Sequence, residues 1–490
     1  MEYNNPLCYL FQTPMGKYVY DTNRNAIINI CDVTYEFLKK IQQEKICNTE
    51  QVPYEVGVLQ QEGFLSNNRV KKIEHSLTGY LEDILDNKLQ TLTLQVTQQC
   101  NLRCEYCPYS GTYTNRRHSN KTMSWEMAQK GIDFLINHSQ NSKILNLSFY
   151  GGEPLLEYKL IRKCIEYIKR KAEGKKTTYN ITTNATLLND EHIAFFSANN
   201  VSLTVSLDGP KEIHDKHRKF AGSGEGTFDV IVKKMKDFKE KFPEYYSNIN
   251  FNCVLDPQND ITCVNEFLAK DDLLKDSFVN ANFISADNLD EKKRKELLAQ
   301  TYSYKLEYEL FKMFLSKLGR YDKGNVSKIA EASFETIKNS LFSMRNMANK
   351  LPEVFHHGGV CVPGTRKLFM DIQGNLFPCE KCSETSPVMK IGTVDDGFDI
   401  NSAEKLLNIG KISADRCKNC WAIRLCNLCA VAVDDGTQLS ANKKGEACNE
   451  FMNAQKEWFL YYCMLKEFGY DFDDIKIVSI SKKEYGIDGV

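Results

Sequence analysis

The sequence predicts an α/β protein of several domains, centred on a partial barrel of six β/α units, on three observations. At 490 residues the chain exceeds what one ordinary core serves. Between residues 89 and 286 short β-rich runs alternate with amphipathic segments of helical period. Eleven of the eighteen cysteines fall in two groups, residues 100–107 and 361–448.

In chain order, residues 1–88 come first. LCYLFQTPMGKYVYDTNRNAIINI reads as a hairpin-like β pair, CDVTYEFLKKIQ as a helix, and VPYEVGVLQQEGFLS as a second helix and turn. This is a small α+β module of winged-helix type. Its nine Lys or Arg against twelve Asp or Glu oppose duplex binding. Capture of an extended peptide at an exposed strand edge is the expectation instead.

The strands of the barrel are expected at LQTLTLQVT (89–97), ILNLSFY (144–150), TTYNITTN (177–184), VSLTVSL (201–207), NINFNCVL (248–255) and SFVNANFIS (277–285). Helices are expected at 124–138, 157–172, 189–199 and 227–240. Such alternation implies right-handed crossovers and a parallel sheet. Six units fit an open, partial (β/α)6 TIM barrel rather than the closed barrel of eight. Catalytic groups then belong on the loops after the strand C-termini, and the first cysteine group follows the first strand. Residues 287–355 are charged and helical in period, and read as a bridging segment packed on the barrel. Residues 356–490 are cysteine-rich with short loops, so metals are expected to substitute there for a large core.

Composition narrows the function. With 63 basic and 64 acidic residues, the net charge of -1 provides no field for nucleic acid or anionic lipid. The longest apolar run, WFLYYCML (458–465), is far short of the ~20 residues of a membrane span. The first residues, MEYNNPLCYLF, lack a basic leader, so a cytoplasmic protein is expected. In that reducing compartment thiol clusters signify metal binding or redox chemistry, not structural disulfides. The scattered Cys8, Cys31, Cys47, Cys164, Cys253, Cys263 and Cys463 read as small buried hydrophobes.

Three explanations compete for Cys100-x3-Cys104-x2-Cys107. Zinc would need a fourth ligand, and His118 stands eleven residues on. A disulfide leaves one thiol odd. A four-iron cluster is usually held by four thiolates, and three would leave one iron open to an exogenous ligand.

The spacing, with Tyr106 as the aromatic before the last cysteine, resembles the hallmark of the radical S-adenosylmethionine (AdoMet, SAM) superfamily. That resemblance implies a 4Fe–4S cluster whose open iron is chelated by the amino and carboxylate groups of AdoMet. After the second expected strand, YGGEP (Gly151, Gly152, Glu153) is similar to the family's GGE motif, which meets the AdoMet amino group. After the third, TTNAT supplies Asn184, and after the fourth, SLDGP supplies Ser206 and Asp208. In relatives the Asn or Ser contacts ribose or the methionyl carboxylate. HDKHRKFAGSGEGTF (214–228) resembles the family's H-D-x-x-R segment, which implies that Arg218 pairs with that carboxylate. His214 and His217 are read as flanking it, with neither assigned as a base.

Further on, Cys361 is followed by Gly374, Cys379 and Cys382, then by Cys417-x2-Cys420-x5-Cys426-x2-Cys429 and Cys448. This resembles the SPASM extension of radical AdoMet peptide-modifying enzymes, departing in the two-residue gap before Cys429 where that family has three. The resemblance implies two auxiliary 4Fe–4S clusters, one on Cys417, Cys420, Cys426 and Cys448. The other would take Cys361, Cys379 and Cys429, its fourth position falling to Cys382 or staying open. Zinc ribbons suit the same C-x2-C pairs.

Together the three parts resemble maturases of ribosomally synthesised peptides, the first domain being like their leader-recognition element. The resemblance implies a Cys-containing precursor peptide bound through its leader and a low-potential donor, flavodoxin or ferredoxin. The implied reaction is radical C–H abstraction that closes a thioether. Carbon–carbon crosslinking, epimerisation or formylglycine formation use the same scaffold, and a zinc-binding winged-helix adaptor is the alternative of another class.

Overall fold

The computed structural model describes residues 2–44, 46–48, 52–110, 116–274, 277–284, 301–339 and 347–472. In place of one β pair, the N-terminal region forms a three-stranded antiparallel meander of β1 (Cys8–Gln12), β2 (Lys17–Asp21) and β3 (Ala26–Ile30). The extra strand comes from a tight second turn. Asn25 takes φ 55°, and the Asp21 carboxylate accepts from the Arg24 and Leu65 amides at 2.7 and 2.6 Å. Two helices follow, α1 (Asp32–Glu44) and α2 (Tyr54–Gln61).

The meander is covered on both faces, which is why its strands are apolar almost throughout. Val19, Ile28 and Ile30 meet Leu38 and Ile41 of α1 and Val56 and Leu59 of α2. Phe11, Tyr18, Tyr20 and Ile27 face three later helices instead.

The barrel is a curved parallel sheet of β4 (Thr91–Thr97), β5 (Ile144–Gly151), β6 (Lys176–Thr183), β7 (Val201–Ser206), β8 (Asn250–Leu255) and β9 (Val279–Phe283). Each strand pairs in parallel with the next in sequence, the pattern that β/α repetition dictates. Between them run α3 (Trp125–Asn137), α4 (Tyr158–Lys171), α5 (Asp190–Ala198), α6 (Lys211–His217), α7 (Phe228–Lys241) and α8 (Ile261–Lys270). Ser124 caps α3 and Asn189 caps α5 by accepting backbone N–H bonds. Leu92, Leu94, Leu147, Phe149, Ile181, Leu203, Val205 and Phe251 fill the core. The sixth expected strand runs to residue 285, and that last residue lies outside the described residues.

Of the expected bridging segment, residues 287–300 and 340–346 lie outside the described residues, whereas α9 (Thr301–Lys317) and α10 (Lys328–Lys338) are helical as expected. Leu310 and Met313 of α9 and Phe334 and Ile337 of α10 join the second core, against the N-terminal sheet.

The cysteine-rich region adds to the barrel sheet. β10 (Leu368–Met370) pairs in parallel with β4, and β11 (Asn375–Phe377), β12 (Gly392–Thr393) and β13 (Gly397–Phe398) continue antiparallel. The result is one sheet of ten strands, in the order β9-β8-β7-β6-β5-β4-β10-β11-β12-β13. The short α11 (Ala414–Lys418) and the 27-residue α12 (Ala441–Glu467) complete the region. Phe459, Tyr462 and Leu465 of α12 close the second core.

Candidate active site

The first cysteine loop leaves β4 at a β-bulge. Gln95 pairs with Tyr150 and Thr97 with Gly151, so Val96 is the extra residue and the chain beyond it is re-aimed. The YGGEP loop then lies directly on that segment, Gly152 donating to the Thr97 carbonyl at 2.9 Å and Glu153 to that of Gln99 at 2.8 Å. Contact this close admits no side chain. A Cβ on Gly151 would lie 2.0 Å from the Thr97 oxygen, and one on Gly152 1.9 Å from the Gln99 oxygen. These glycines therefore hold backbone against backbone, which fixes where Cys100 begins.

Glu153 is buried, and burial pushes its carboxyl up although three donors serve it. It accepts from the amides of Leu155 (3.0 Å) and Asn184 (2.8 Å) and from the Thr183 hydroxyl (2.7 Å). Its side chain thus ties the ends of β5 and β6 together. Asn184 in turn donates to Asn101 at 2.9 Å and lies 3.9 Å from the Cys100 sulfur. The second and third motif loops both converge on the first.

The fourth side is an ion pair. Arg218 donates through Nε (2.7 Å) and Nη2 (3.2 Å) to Asp208, which also accepts from the Tyr106 hydroxyl and the Val254 amide. Burial alone would raise the Asp208 carboxyl, but the guanidinium reverses this and holds it below the ordinary range. Arg218 also stacks on the Tyr106 ring at 5.5 Å. His214 is held neutral by burial, its pKa lowered to about 3, and accepts from the Asp208 amide at 3.2 Å. His217 bridges Asp256 (2.9 Å) and Glu105 (3.2 Å). Both histidines position neighbours. Ser206 ends β7 as a buried residue.

The three thiols share one buried neighbourhood in which Cys104 and Cys107 penalise ionisation of Cys100, and Cys107 that of Cys104. Burial first, then Glu153, Cys104 and Cys107, push Cys100 up to about 12, and burial pushes Cys104 up to about 11. Three thiolates are tenable there only around a strongly positive centre, as iron provides. Two backbone amides already point at the sulfurs, Leu102 at Cys100 and Tyr109 at Cys107, each at 3.4 Å. His118 is bonded instead to the Gln98 carbonyl at 3.3 Å. Among the described residues no three His, Cys, Asp or Glu converge tightly enough for a single ion. A cube of four irons spreads its ligands more widely, so the donor set fits the cluster.

The remaining eight clustered cysteines separate into two groups of four. Cys429 feels the charge of Cys379 and Cys361, and Cys382 that of Cys379 and Cys429. The Cys379 and Cys382 sulfurs are 4.0 Å apart, and Cys361 is exposed. In the other group Cys420 feels Cys417 and Cys448, and Cys426 feels Cys448, Cys420 and Cys417.

A buried polar cluster that sequence reasoning missed links the barrel to the Cys379–Cys382 turn. Arg116 pairs with Glu384 at 2.7 Å and donates to the carbonyls of Glu380 (2.6 Å) and Cys382 (2.9 Å). Gln95, wholly buried on β4, donates to both Glu384 oxygens at 2.9 Å and to Tyr109 at 2.8 Å. Arg116 is enclosed by the rings of Tyr109, Phe369 and Tyr150 at 5.5 to 5.9 Å.

The sequence profile of the radical SAM superfamily matches residues 94–267, the stretch that carries all four motif loops. A protein of Methanocaldococcus jannaschii is 32% identical over 233 residues, 48% of this chain and 72% of its own length. The chain belongs to the radical SAM superfamily. Radical SAM enzymes use a 4Fe–4S cluster and AdoMet, and these are the cofactors of this one. The cysteine-type anaerobic sulfatase-maturating enzyme of Clostridium perfringens is 24% identical over 386 residues, 76% of this chain and 96% of that protein. A solved structure of native anSMEcpe with bound AdoMet and Cp18Cys peptide superposes with a TM-score of 0.56 at 21% identity. It covers 77% of this radical SAM chain and 98% of its own, so the fold is shared. Among the described residues no helix is long and apolar enough to cross a membrane.

Proposed function

We propose that this radical SAM enzyme is a cytoplasmic maturase that closes thioethers, from Cys sulfur to carbon, in a ribosomally synthesised Cys-containing precursor peptide. When loaded, the cluster on Cys100, Cys104 and Cys107 with AdoMet supplies a 5′-deoxyadenosyl radical, given an electron from a flavodoxin or ferredoxin. The chain's own work is placement. Gly151, Gly152 and Glu153 fix the cysteine loop; Asn184 and Ser206 would line the AdoMet site, and Arg218, held by Asp208 beside Tyr106, would offer its charge to the methionyl carboxylate. The barrel wall at the buried Gln95 and Tyr109 would exclude water from the loaded site.

One observation carries the peptide-crosslinking reading: the Arg116–Glu384–Gln95 cluster mounts the Cys379–Cys382 thiols on the first barrel strand, beside the radical-generating loop. Cys361, Cys379, Cys382 and Cys429 would hold one auxiliary cluster there, and Cys417, Cys420, Cys426 and Cys448 the second. The 4.0 Å between Cys379 and Cys382 favours Cys382 as the fourth ligand of the first. A leader peptide would add as a strand to the meander, with residues 1–88 as the winged-helix-like recognition domain. β3 has a ladder partner on one side only among the described residues.

Formylglycine formation is the second reading, favoured by the similarity to a cysteine-type sulfatase-maturating enzyme over 76% of the chain. Incubation with the precursor peptide and mass spectrometry separate the two. A thioether costs two hydrogens, keeps the sulfur and blocks the thiol, whereas formylglycine exchanges sulfur for a carbonyl oxygen. Intact thiols in the product, or lost sulfur, would overturn the thioether. Loaded protein should hold about twelve irons, four per cluster, and Cys100→Ala should abolish deoxyadenosine formation while sparing about eight.

A further inference from the structure

The N-terminal turn of α12 carries a lysine in an unexpected place. Lys444 is 1% exposed, one of the most deeply buried large side chains among the described residues. Its ammonium donates to the Ser413 hydroxyl at 2.7 Å and to the Cys417 sulfur at 3.2 Å, and no carboxylate pairs with it among the described residues. A buried ammonium without an anion costs several kcal/mol. The helix makes this worse, because Lys444 is the fourth residue after the Ser440 cap, at the positive end of the macrodipole. One turn on, at i+4, Cys448 projects from the same face of α12. Arg416, which hydrogen-bonds to the Gly445 carbonyl, adds a further positive group. Among the described residues no side-chain carboxylate neutralises the cation, and of the thiols in this group Cys417 accepts from it while Cys448 lies within reach of its charge.

We propose that Lys444 is the resident counter-cation of the auxiliary iron–sulfur cluster on Cys417, Cys420, Cys426 and Cys448, and that it raises the reduction potential of that cluster. The inference rests on the auxiliary-cluster reading above. A 4Fe–4S core with four thiolates is anionic, and taking up one electron adds one negative charge with no bond made or broken. A fixed ammonium beside a ligand sulfur therefore stabilises the reduced form more than the oxidised one. Lys444 acts through Cys417 and is a positioning and tuning residue, not one that touches substrate. Its consequence for turnover is directional. The surplus electron left after bond closure has a lower resting place at this cluster than at one without a buried cation.

Redox titration of the fully loaded enzyme, followed by electron paramagnetic resonance, tests this. Cys417→Ala identifies the signal and checks the underlying reading, since it must remove about four irons. If that variant keeps all its iron and every signal, the cluster assignment itself falls. Lys444→Met, neutral and of similar length, should shift this one midpoint downward by at least tenfold in the reduction equilibrium, about 59 mV for one electron. The other two clusters should not move, and Lys444→Arg should keep the native midpoint. An unshifted midpoint in Lys444→Met with full iron overturns the role of the lysine and leaves the cluster reading intact. If Lys444→Met cannot retain the cluster, Lys444→Arg decides: iron and midpoint both preserved support the counter-cation, and loss in both variants overturns it.

Discussion

Gly152→Ala isolates the contact on which the radical-generating loop depends. The added Cβ would stand 1.9 Å from the Gln99 carbonyl oxygen, 2.4 Å from its carbon and 3.1 Å from the Cys100 nitrogen, all backbone atoms. No side-chain rotamer relieves such a clash. Opening 1.9 Å to the 3.4 Å of ordinary contact requires the two loops to separate by about 1.5 Å. That displacement also breaks the bonds from Gly152 to Thr97 and from Glu153 to Gln99. Misplacement by about 1 Å costs on the order of 100-fold in rate where a reacting group must be aligned. Gly152→Ala should therefore form 5′-deoxyadenosine at least about 100-fold more slowly than wild type. The assay is anaerobic, with dithionite, AdoMet and chromatographic product quantification, and iron is measured alongside. The auxiliary clusters should remain loaded, because the clash touches only Thr97, Gln99 and Cys100 and none of their ligands. Wild-type deoxyadenosine formation by Gly152→Ala would refute the claim that backbone-to-backbone packing sets the cysteine loop.

Other outcomes follow from the buried pairs. Arg116→Met strands the Glu384 carboxylate and should cost about 3–5 kcal/mol of stability, while Arg116→Met with Glu384→Gln recovers much of that in thermal unfolding. The loss should depend on pH. Burial raises the folded-state pKa of Glu384 even with Arg116 present, so its contribution is full below the unfolded pKa and is lost as pH rises through the folded value. Removing Arg116 lifts the folded value further, so Arg116→Met should lose more stability than wild type as pH rises above the ordinary carboxyl range. Arg218→Lys cannot reproduce the two-pronged pairing with Asp208, and AdoMet binding measured by calorimetry should weaken about tenfold or more with iron unchanged. Gly57→Ala, in α2 with open space around the added methyl, should be neutral or stabilise by about 0.5–1 kcal/mol.

What was legible in the sequence follows the range of the interactions. The barrel strands and helices announce themselves because periodicity is local: LTLQV and LNLSF are read within a few residues, and observed and expected boundaries differ by one or two. The third N-terminal strand was obscured because DTNRN offers several turn residues, and only the Asp21 bonds to Arg24 and Leu65 select one of them. Arg116 and Glu384 were invisible for a different reason. The arginine pair in TNRRHS and the lone glutamate in KCSETS look like solvated charges, and only the pairing of β10 with β4 carries the Cys379–Cys382 turn to Gln95. Similarly, α9 reads as a charged surface helix until the aromatic face of the meander and α12 are set against it.

Lys444 shows where such reading ends. ANKKGEAC looks like an exposed helix start, and its only local hint is the four-residue step from Lys444 to Cys448. Burial turns that step into chemistry. The structure closes Ser413, Cys417 and α12 around the ammonium, so a charge that composition counts as solvated instead becomes a fixed field at the Cys417 sulfur. The same rule separates the two arginines named above from the surface ones. Arg116 is enclosed by three aromatic rings and a carboxylate, and Arg218 by the Tyr106 ring and a carboxylate, whereas Arg162 pairs with Glu166 in the open, where the charge contributes little. In this chain a charge matters to the chemistry where the fold has removed its water, and that removal depends on contacts made across hundreds of residues.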